Sequence, residues 1–472
     1  MSAASGPTRG TFQPMSTKSP EKSSARWSLA WKLGPLRALA AVALAALVPA
    51  GAHANGRYPQ TVSVHFQPGN DHRILVGATF GMLLSEDDGA TWRWTCEANI
   101  GYGGIFDPTY EISQAGTIYA TTFDGLSITR DNGCSWSYAG GPLTGLWASD
   151  VNISKTDGAV WVTTSSGGVA NDVFVSKDDG VSFTSTHLTH DQAWWKSVRV
   201  APSDPNRVYV TGYNVITPSG EDAGESQPTP LFYRSDNGGQ SWTDMAFSFG
   251  NESQFLLLGV SPTDPDLLYG RVNGPIQDTL LRSKNGGMSW DAVLTFDGDG
   301  ADITAFTFLQ DDQHLIAGTI NFGVKLSDDG GDTWRDPTKK PKMACVGRRP
   351  ADGALFTCGA NWNPDKMAIG RSTDSGETFA PVMRFGDLDD ELSCPASSGH
   401  ANQCAGLWQG IACQFGIGKG DAGVADASVG GQPDASTDPG EKSDCGCSMG
   451  FAALLVVAPW PRRRRRRPPA DV

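Results

Sequence analysis

The chain has 472 residues and a formal net charge of −14, but its two ends differ in composition from the long stretch between them. Residues 55–444 contain 25 of the 37 lysines and arginines and 49 of the 51 aspartates and glutamates, which leaves a net charge of −24. A stretch this acidic repels nucleic acid and anionic lipid, so both are excluded as partners of the folded part.

The first 54 residues have the organisation of an export signal. Arg26, Lys32 and Arg37 precede the apolar run ALAAVALAALVPAGAHA (38–54), which ends in a small-x-small triplet suited to signal peptidase. A membrane anchor is the alternative, but the apolar core is shorter than the roughly 20 residues that a spanning helix needs. We therefore predict a signal peptide over 1–54.

A short acidic pattern then recurs seven times. Its copies are LSEDDGATW (84–92), ITRDNGCSW (128–136), VSKDDGVSF (175–183), RSDNGGQSW (234–242), RSKNGGMSW (282–290), LSDDGGDTW (326–334) and RSTDSGETF (371–379). The interval between copies is 44 to 48 residues, with one of 59, which is typical of β-propeller blades. The runs between copies are rich in strand-forming residues and are separated by turn signals, so each unit is predicted to hold four strands.

Seven copies argue against seven active sites and favour a structural turn. We predict that each copy is the hairpin between the third and fourth strands, where an aspartate accepts hydrogen bonds from the turn and a tryptophan ring covers it. In the fifth copy Lys284 stands at the aspartate position, with Asn285 next to it. The predicted structural residues are Asp87, Asp131, Asp178, Asp236, Asp328, Asp374, Trp92, Trp136, Trp242, Trp290 and Trp334.

This pattern, Ser/Thr-x-Asp-x-Gly-x-Ser/Thr-Trp/Phe, resembles the Asp-box or BNR repeat of sialidases, sortilin-type receptors, xyloglucanases and photosystem II assembly factors. The resemblance spans residues 60–385. It implies an all-β, seven-bladed β-propeller, assigned here to residues 55–385. Function differs widely among these families, so the fold alone does not define it. We expect the box hairpins on one face of the disc and the functional loops, which join strands 2–3 and 4–1, on the other.

Aromatic and polar residues are frequent in the loops predicted for that second face. Tyr102, Phe106 and Trp194 belong to this set. The residues predicted to contact a small polar ligand or a peptide are Trp147, His190, Asp191, Trp195, Tyr213 and Trp362. Packing of Trp147 and Trp195 between blades is the alternative. The longest unit owes its length to an acidic loop (214–230), which is either a partner-binding flap or a tolerated insertion.

The sequence contains only weak indications of a metal site. Asp297, Asp299 and Asp302 are close in sequence but lack the distal glutamate of a helical calcium loop, so an acidic connection is the preferred interpretation. His187 and His190 have no evident third ligand. We predict no metal and no cofactor.

A secreted glycoside hydrolase of the sialidase type is the alternative function. The resemblance to sialidases would require an arginine cluster for the substrate carboxylate. Arg57, followed by Tyr58 and Pro59, is weakly similar to the aromatic-Arg-Ile-Pro motif near the start of sialidases. Arg234, Arg282 and Arg371 each precede a box serine and belong to the repeat. Catalytic residues are therefore not predicted.

Seven cysteines lie between the terminal segments, and none has the CxxC spacing of a zinc site. In an exported protein they are disulfide candidates, and the odd number leaves one over. We expect Cys345 to pair with Cys358 across a hairpin turn, and Cys96 with Cys134 between neighbouring blades. Three of the seven fall in residues 386–416, which predicts a small cap pinned to the propeller's edge. The candidates are Cys96, Cys134, Cys345, Cys358, Cys394, Cys404 and Cys413.

The C-terminal residues form a linker and a sorting signal. Residues 417–444 have almost no large apolar side chain and are predicted to be a disordered stalk. Cys445 and Cys447, a short apolar run and six arginines follow, an order that resembles the C-terminal sorting signal of myxobacterial surface proteins. The resemblance implies that the tail, 445–472, is processed by sorting machinery at the envelope, with Cys445 or Cys447 as the modified residue.

These features predict an exported, surface-displayed, monomeric propeller that binds a glycan or a protein without catalysis. Its contact with the membrane would be made only through the C-terminal signal, at the cell envelope or outer surface, and release into the medium is left open.

Overall fold

The computed structural model describes residues 57–190, 192–215, 228–245, 254–274, 277–298 and 300–417. The predicted export signal, the sorting signal with Cys445 and Cys447, and the stalk beyond residue 417 lie outside these residues. Asp191 and most of the acidic loop 214–230 also lie outside them.

Seven antiparallel sheets, each a meander of consecutive strands, form a seven-bladed β-propeller. Blades 1 to 3 contain β1 (Thr61–Gln67), β2 (Asn70–Ala78), β3 (Gly81–Ser85), β4 (Arg93–Thr95), β5 (Tyr110–Ile112), β6 (Ile118–Thr122), β7 (Gly125–Thr129), β8 (Ser137–Tyr138), β9 (Ala148–Ile153), β10 (Val160–Thr164), β11 (Val173–Ser176) and β12 (Thr184–Ser185). Blades 4 and 5 contain β13 (Ala193–Ala201), β14 (Asp204–Val215), β15 (Pro228–Ser235), β16 (Thr243–Asp244), β17 (Phe255–Val260), β18 (Leu268–Asn273), β19 (Gln277–Ser283) and β20 (Asp291–Asp297). Blades 6 and 7 contain β21 (Ile303–Phe308), β22 (Leu315–Thr319), β23 (Gly323–Ser327), β24 (Cys345–Arg348), β25 (Leu355–Cys358), β26 (Ile369–Ser372) and β27 (Ala380–Met383).

Blade 6 has three strands instead of four. The predicted fourth strand is reduced to one bridge, in which Leu326 and Arg335 exchange backbone hydrogen bonds of 2.9 and 2.8 Å. The ring is nevertheless continuous, because the first strand of each blade packs against the first strand of the next, and β1 packs against β24. The first strands therefore surround a central channel.

The strands are apolar on both faces because each sheet packs between two others. All residues of β6 and β10 are buried, for example, and seven apolar clusters fill the spaces between neighbouring blades. This explains why the strands read as continuous β-branched and aromatic runs.

The seven acidic hairpins share a core of hydrogen bonds around the serine or threonine and the residue two positions after it. Blade 1 is described here, and it adds bonds from a threonine hydroxyl and an indole. The Ser85 hydroxyl donates to Asp87 and accepts from the Gly89 amide at 2.8 Å. Asp87 then accepts from the Thr91 hydroxyl at 2.7 Å, and the Trp92 indole donates to the Gly89 carbonyl at 3.0 Å. The residues that act as the acceptor in the seven blades are Asp87, Asp131, Asp178, Asn237, Asn285, Asp329 and Asp374.

Two of the predicted acceptors, Asp236 and Asp328, were wrong, and in the fifth hairpin Asn285, not Lys284, stands at the acceptor position. Asp328 pairs instead with Arg335 at 2.7 Å, and Asp236 lies 2.6 Å from Arg207. The acceptor must stand two residues after the serine to reach both the serine hydroxyl and the amide four residues further on, so Asn237 and Asp329 take the role. The indole nitrogens of Trp136, Trp290 and Trp334 donate to glycine carbonyls as in blade 1, whereas that of Trp242 has no partner among the described residues.

Each hairpin also contacts the preceding blade. The Tyr119 hydroxyl of blade 2 donates to Asp179 in the hairpin of blade 3 at 2.9 Å, and the Tyr269 hydroxyl of blade 5 donates to the Gly330 carbonyl of blade 6 at 2.8 Å. At the seam of the ring, Arg349 of blade 7 pairs with Asp88 of blade 1. The hairpins therefore stabilise the contacts between neighbouring blades as well as their own turns.

Three disulfides are present in the described residues. Cys345 and Cys358 face each other in β24 and β25 and form the predicted bridge. The expected pairing of Cys96 with Cys134 is wrong, because Cys96 bonds to Cys404 and Cys134 to Cys394. Both partners belong to the C-terminal segment, which passes along the outer edges of blades 1 and 2. The seventh cysteine, Cys413, is half-buried in a helix of that segment.

This segment forms the expected cap on the edge of the propeller. Its short strand β28 (Asp390–Glu391) adds to β4 in parallel. In the described residues a first helix, α1 (Glu97–Ile100), follows β4 of blade 1, and two more follow β28, α2 (Gly399–Gln403) and α3 (Leu407–Phe415). Phe415 of α3 packs against Phe80 and Phe385 at ring distances of 5.2 and 4.9 Å. The edge of blade 1 is thereby covered.

Candidate ligand-binding face

The two faces of the disc are built from different turns. In each meander the turns between strands 1–2 and 3–4, which include the acidic hairpins, lie at one end of the strands. The turns between strands 2–3 and the connections between blades lie at the other end. We call this second surface the loop face.

Five rings on the loop face of blades 2 to 4 form a contact series, here named the aromatic cluster: Phe106, Phe123, Trp147, Trp194 and Tyr213. Ring centroids are 4.5 Å apart for Phe106 and Phe123, 4.8 Å for Phe123 and Trp147, and 6.0 Å for Trp147 and Trp194. Trp194 and Tyr213 lie nearly parallel, with centroids 6.4 Å apart. Phe123 is 52% exposed, and the other four are partly exposed.

The strands place these rings together. Trp194 and Tyr213 are opposite each other in β13 and β14, so their side chains share one side of the sheet. Trp147 directly precedes β9, and Phe123 lies in the turn between β6 and β7. The cluster therefore depends on three blades.

Lys196 lies among these rings. Its Nζ is 5.6 Å from the centroid of Trp147 and 5.4 Å from that of Tyr213, which are cation–π distances. Burial lowers the pKa of Lys196. Among the described residues, its ammonium has no ion pair and no hydrogen bond.

A cavity of about 410 Å³ lies beside the cluster, at the mouth of the central channel. Its walls combine apolar and polar side chains of blades 1, 5, 6 and 7, and two arginines are among the polar ones. Arg57 binds Asp107 through two hydrogen bonds of 2.7 and 2.6 Å, which raises the pKa of Arg57. Arg271 donates to the Ile303 carbonyl at 2.7 Å and lies 3.3 Å from Asp278.

The cavity and the cluster are adjacent. Arg57 donates to the carbonyl of Phe106 at 3.4 Å, and Phe106 is the first ring of the cluster. Burial raises the pKa of Asp278, although Arg271 and the Ile303 amide oppose the shift. Both arginines of the cavity thus already have a carboxylate beside them.

The structure brings only two of the predicted ligand residues, Trp147 and Tyr213, into the cluster. Trp195 is 0% exposed and packs in the core between blades 3 and 4, so its prediction as a ligand contact was wrong; its neighbour Trp194 points to the loop face instead. His190 is half-buried and forms a backbone bridge with Asn171. Asp191 lies outside the described residues.

Trp362 lies apart from the cluster, in the turn between β25 and β26. It is 43% exposed and contacts the ring of Tyr58 at 5.0 Å. The two rings form a second, smaller aromatic site on the loop face.

Sequence reasoning missed Phe123, Lys196, Asp107 and Arg271. The turn TTFDG marked Phe123 as a residue between strands 2 and 3, and that signal was available. No sequence signal marked Lys196, because its orientation follows from a β-bulge between Trp195 and Ser197, and the residue types there do not predict a bulge.

One buried network resembles a hydroxyl–imidazole–carboxylate triad. The Thr95 hydroxyl is 2.9 Å from Nδ1 of His400, whose Nε2 is 3.3 Å from Glu391. Thr95 is 0% exposed, and its hydroxyl also accepts from Asn99 at 3.0 Å. A nucleophile must reach its substrate. This network therefore connects the cap to blade 1 and has a structural role.

The described residues contain no group of three or more side chains that could hold a metal ion. Asp302, from the sequence considered for calcium, accepts a hydrogen bond from Asn273 at 2.9 Å, while Asp299 lies outside the described residues. Within the same ranges, no helix is long and apolar enough to cross a membrane.

The fold defines the chain as a seven-bladed β-propeller. No family model matches the sequence, and no curated protein sequence matches it. Among solved structures, an ancestral GH74 enzyme is similar, with 14% identity, 68% of this chain and 46% of that chain covered, and a TM-score of 0.50. The GH74 xyloglucanase of Xanthomonas campestris has 14% identity over 67% of this chain and 57% of that one, with a TM-score of 0.34.

YCF48 from Cyanidioschyzon merolae is 17% identical, with 64% of this chain and 92% of that chain covered and a TM-score of 0.42. The chain thus spans less than two thirds of the length of the GH74 enzymes that it resembles. At these identities the similarity shows the fold alone.

Proposed function

We propose that this chain is a noncatalytic binding or scaffolding propeller, exported and displayed at the cell surface, that takes a glycan or a protein ligand on the loop face. The aromatic cluster is the observation that carries this proposal. Rings at the mouth of a channel, with polar groups between them, have the composition of ligand sites.

Exposure of the apolar rings of the cluster to water costs free energy unless a ligand covers them. Phe123 is 52% exposed, and Ile105, next to Phe106, is 86% exposed. Burial of such side chains is worth about 1.5–3 kcal/mol each, so a ligand that covers them gains affinity from apolar contact. Contiguous exposed apolar surface of this kind marks interaction sites.

The carboxylates of the acidic hairpins are poor candidates for catalysis. Their carboxylates are already occupied by hydrogen bonds within the turn, and these bonds lower the pKa of Asp178 to about 2 and also lower the pKa values of Asp87 and Asp329. Carboxylates held in the ionised form by their own turn are suited to bracing and poorly suited to proton transfer.

Export is supported by the cysteines. Three disulfides in the described residues are typical of proteins that fold in an oxidising compartment. Surface display rests on the sequence of the tail, with modification at Cys445 or Cys447 by sorting machinery. A mass measurement of the protein from the producing cell, showing loss of residues after the modified cysteine, tests this part.

A comparison of two equivalent turns tests the binding site. Phe123 and Phe322 both lie between the second and third strands of their blades, but Phe322 is outside the cluster. With the full chain immobilised against a glycan panel and envelope proteins, Phe123→Ala and Trp194→Ala are expected to weaken capture by about 10-fold, which is about 1.4 kcal/mol. Phe322→Ala is expected to leave it unchanged.

An activity assay addresses the hydrolase alternative. We expect no turnover of a fluorogenic sialoside or of a polysaccharide. Turnover that disappears on Arg57→Ala would contradict the noncatalytic proposal, and equal capture by Phe123→Ala and wild type would contradict the binding site.

A further inference from the structure

We propose that the ligand of the loop face is a glycan with a carboxylate-bearing sugar unit, whose carboxylate pairs with Lys196 while its ring packs on the aromatic cluster. This inference rests on the proposed function and names the ligand class for the same site. It follows from the position of Lys196, from the absence of an ionic partner for it among the described residues and from the rings around it.

The position of Lys196 is defined by the inner strands. In five blades the first strand carries one extra residue, a β-bulge that re-aims its side chain. Three of these residues line the cavity at the channel mouth, and the bulge of blade 4 places Lys196 beside Trp147 and Tyr213. Lys196 is the one ionic residue of the five, which are Val62, Ser149, Lys196, Leu258 and Thr304.

Lys196 also differs from the neighbouring cations. Arg57 and Arg271 each have a carboxylate within 3.3 Å, whereas the described residues place none beside Lys196. Aromatic rings flank its ammonium on two sides. A half-buried charge without a hydrogen-bond acceptor is unfavourable, and an anionic group that supplied one would form a charge-assisted bond in a partly desolvated place.

The surroundings favour a sugar over an acidic peptide. Flat, partly exposed rings such as Trp147, Trp194 and Tyr213 offer broad apolar surface to the C–H face of a pyranose. Residues 55–444 carry a net charge of −24 by the lysine, arginine, aspartate and glutamate count, so a peptide with several carboxylates would be repelled. A single carboxylate on a mostly neutral glycan can form the ion pair with Lys196 with much less repulsion from the negative charge of the chain.

The experiment is calorimetric titration of the full chain with four kinds of probe. These are a glucuronic-acid-terminated disaccharide, sialyllactose, the carboxyl-reduced forms of both, and an oligoglutamate peptide. The two acidic sugars distinguish a uronate from a sialate source of the same chemistry. Lys196→Met removes the charge and keeps the length of the stem, Lys196→Arg keeps the charge, and Lys177→Met is the control on the opposite face.

We expect at least one acidic sugar to bind, with about 10-fold loss on carboxyl reduction or on Lys196→Met. Lys196→Arg should retain most of the affinity, Lys177→Met all of it, and salt raised from about 50 to 500 mM should weaken binding. The comparison of acidic and reduced sugars uses the wild-type chain, so it holds even if a variant misfolds.

Equal binding of acidic and reduced sugars, equal binding by Lys196→Met and wild type, or binding of oligoglutamate alone would overturn the inference. No binding of any probe would overturn it too. If Phe123→Ala still weakened capture of another ligand in that case, the proposed function would stand while the ligand class failed.

Discussion

Arg349 of blade 7 and Asp88 of blade 1 form an ion pair across the seam where the first and last blades meet, 261 residues apart in the chain. Arg349 is 5% exposed and also binds Asp352 at 2.6 Å. Asp88 belongs to the acidic hairpin of blade 1, so the seam uses the same kind of hairpin-to-blade contact as the rest of the ring.

Removal of Arg349 should therefore loosen the seam. We expect Arg349→Met to lower the free energy of unfolding by about 1–3 kcal/mol, because Asp88 and Asp352 lose a shared, buried donor. Arg335→Met is the matched control, since Arg335 also binds two carboxylates but is half-exposed. Its loss should be under about 1 kcal/mol. Equal losses in denaturant unfolding would show that the seam pair has no special role.

The register of the acidic hairpins gives a second prediction. In blade 6 the Asp329 side chain accepts from the Thr333 amide and hydroxyl at 2.8 and 2.6 Å, while Asp328 points outward to Arg335. Asp329→Ala should lower Tm by about 2–4 °C and Asp328→Ala by about 1 °C or less. Differential scanning calorimetry of the two variants is the test, and a larger effect of Asp328→Ala would reverse the assignment.

The three disulfides give a third prediction, which concerns their contributions to stability. Cys345 and Cys358 are 13 residues apart, whereas Cys134 and Cys394 are 260 apart and Cys96 and Cys404 are 308 apart. In the chain-entropy model a short loop contributes about 3 kcal/mol and a loop of several hundred residues about 5.

Serine substitution of both long-range pairs should thus destabilise the protein more than substitution of the hairpin pair. It should also increase hydrogen exchange in α2 and α3, which those bridges hold against blades 1 and 2. Unchanged exchange in these helices would mean that packing alone retains the cap.

The fourth prediction concerns pH. Part of His65 is exposed, but its Nε2 is buried without a partner and its ring packs on Tyr110, and burial lowers the pKa of His65 to about 3. A histidine with a lowered folded-state pKa contributes stability above its ordinary pKa of about 6.5, and that stability is lost as pH falls below it.

Unfolding measured from pH 7.5 to 4.5 should show this loss, with a slope of up to about 1.4 kcal/mol per pH unit from this residue. His65→Gln should flatten the slope, and substitution of the exposed His72 should not. A wild-type stability that stays constant over this range would contradict the prediction.

The ring could be predicted from the sequence because its signal is repeated seven times and each copy supports the others. The acceptor position two residues after the serine was misassigned in three hairpins. Asp236 and Asp328 lie one position earlier and are equally plausible acceptors by type, and Lys284 was assigned the position that Asn285 holds. The partners of Cys96 and Cys134 depend on the path of the C-terminal segment, which no periodicity describes.

The candidate site was predictable only in part for a related reason. Trp194 and Trp195 are adjacent, and strict alternation puts one of them on each side of a strand without saying which side is buried. The β-bulge after Trp195 then leaves Lys196 beside the rings of Trp147 and Tyr213. Ring contacts among Phe106, Phe123 and Trp147 join separate blades, so they arise only once the blades are assembled.

The most direct test of the account is photo-crosslinking from single positions of the full chain expressed in the producing cell. A photoreactive phenylalanine analogue at position 123 samples the aromatic cluster, the same analogue at 322 samples the equivalent turn of blade 6, and at 181 it samples an acidic hairpin. Ligand binding at the cluster predicts crosslinked product at 123 and none at 322 or 181. Crosslinking at 181 with none at 123 would place the ligand on the hairpin face and contradict the central claim.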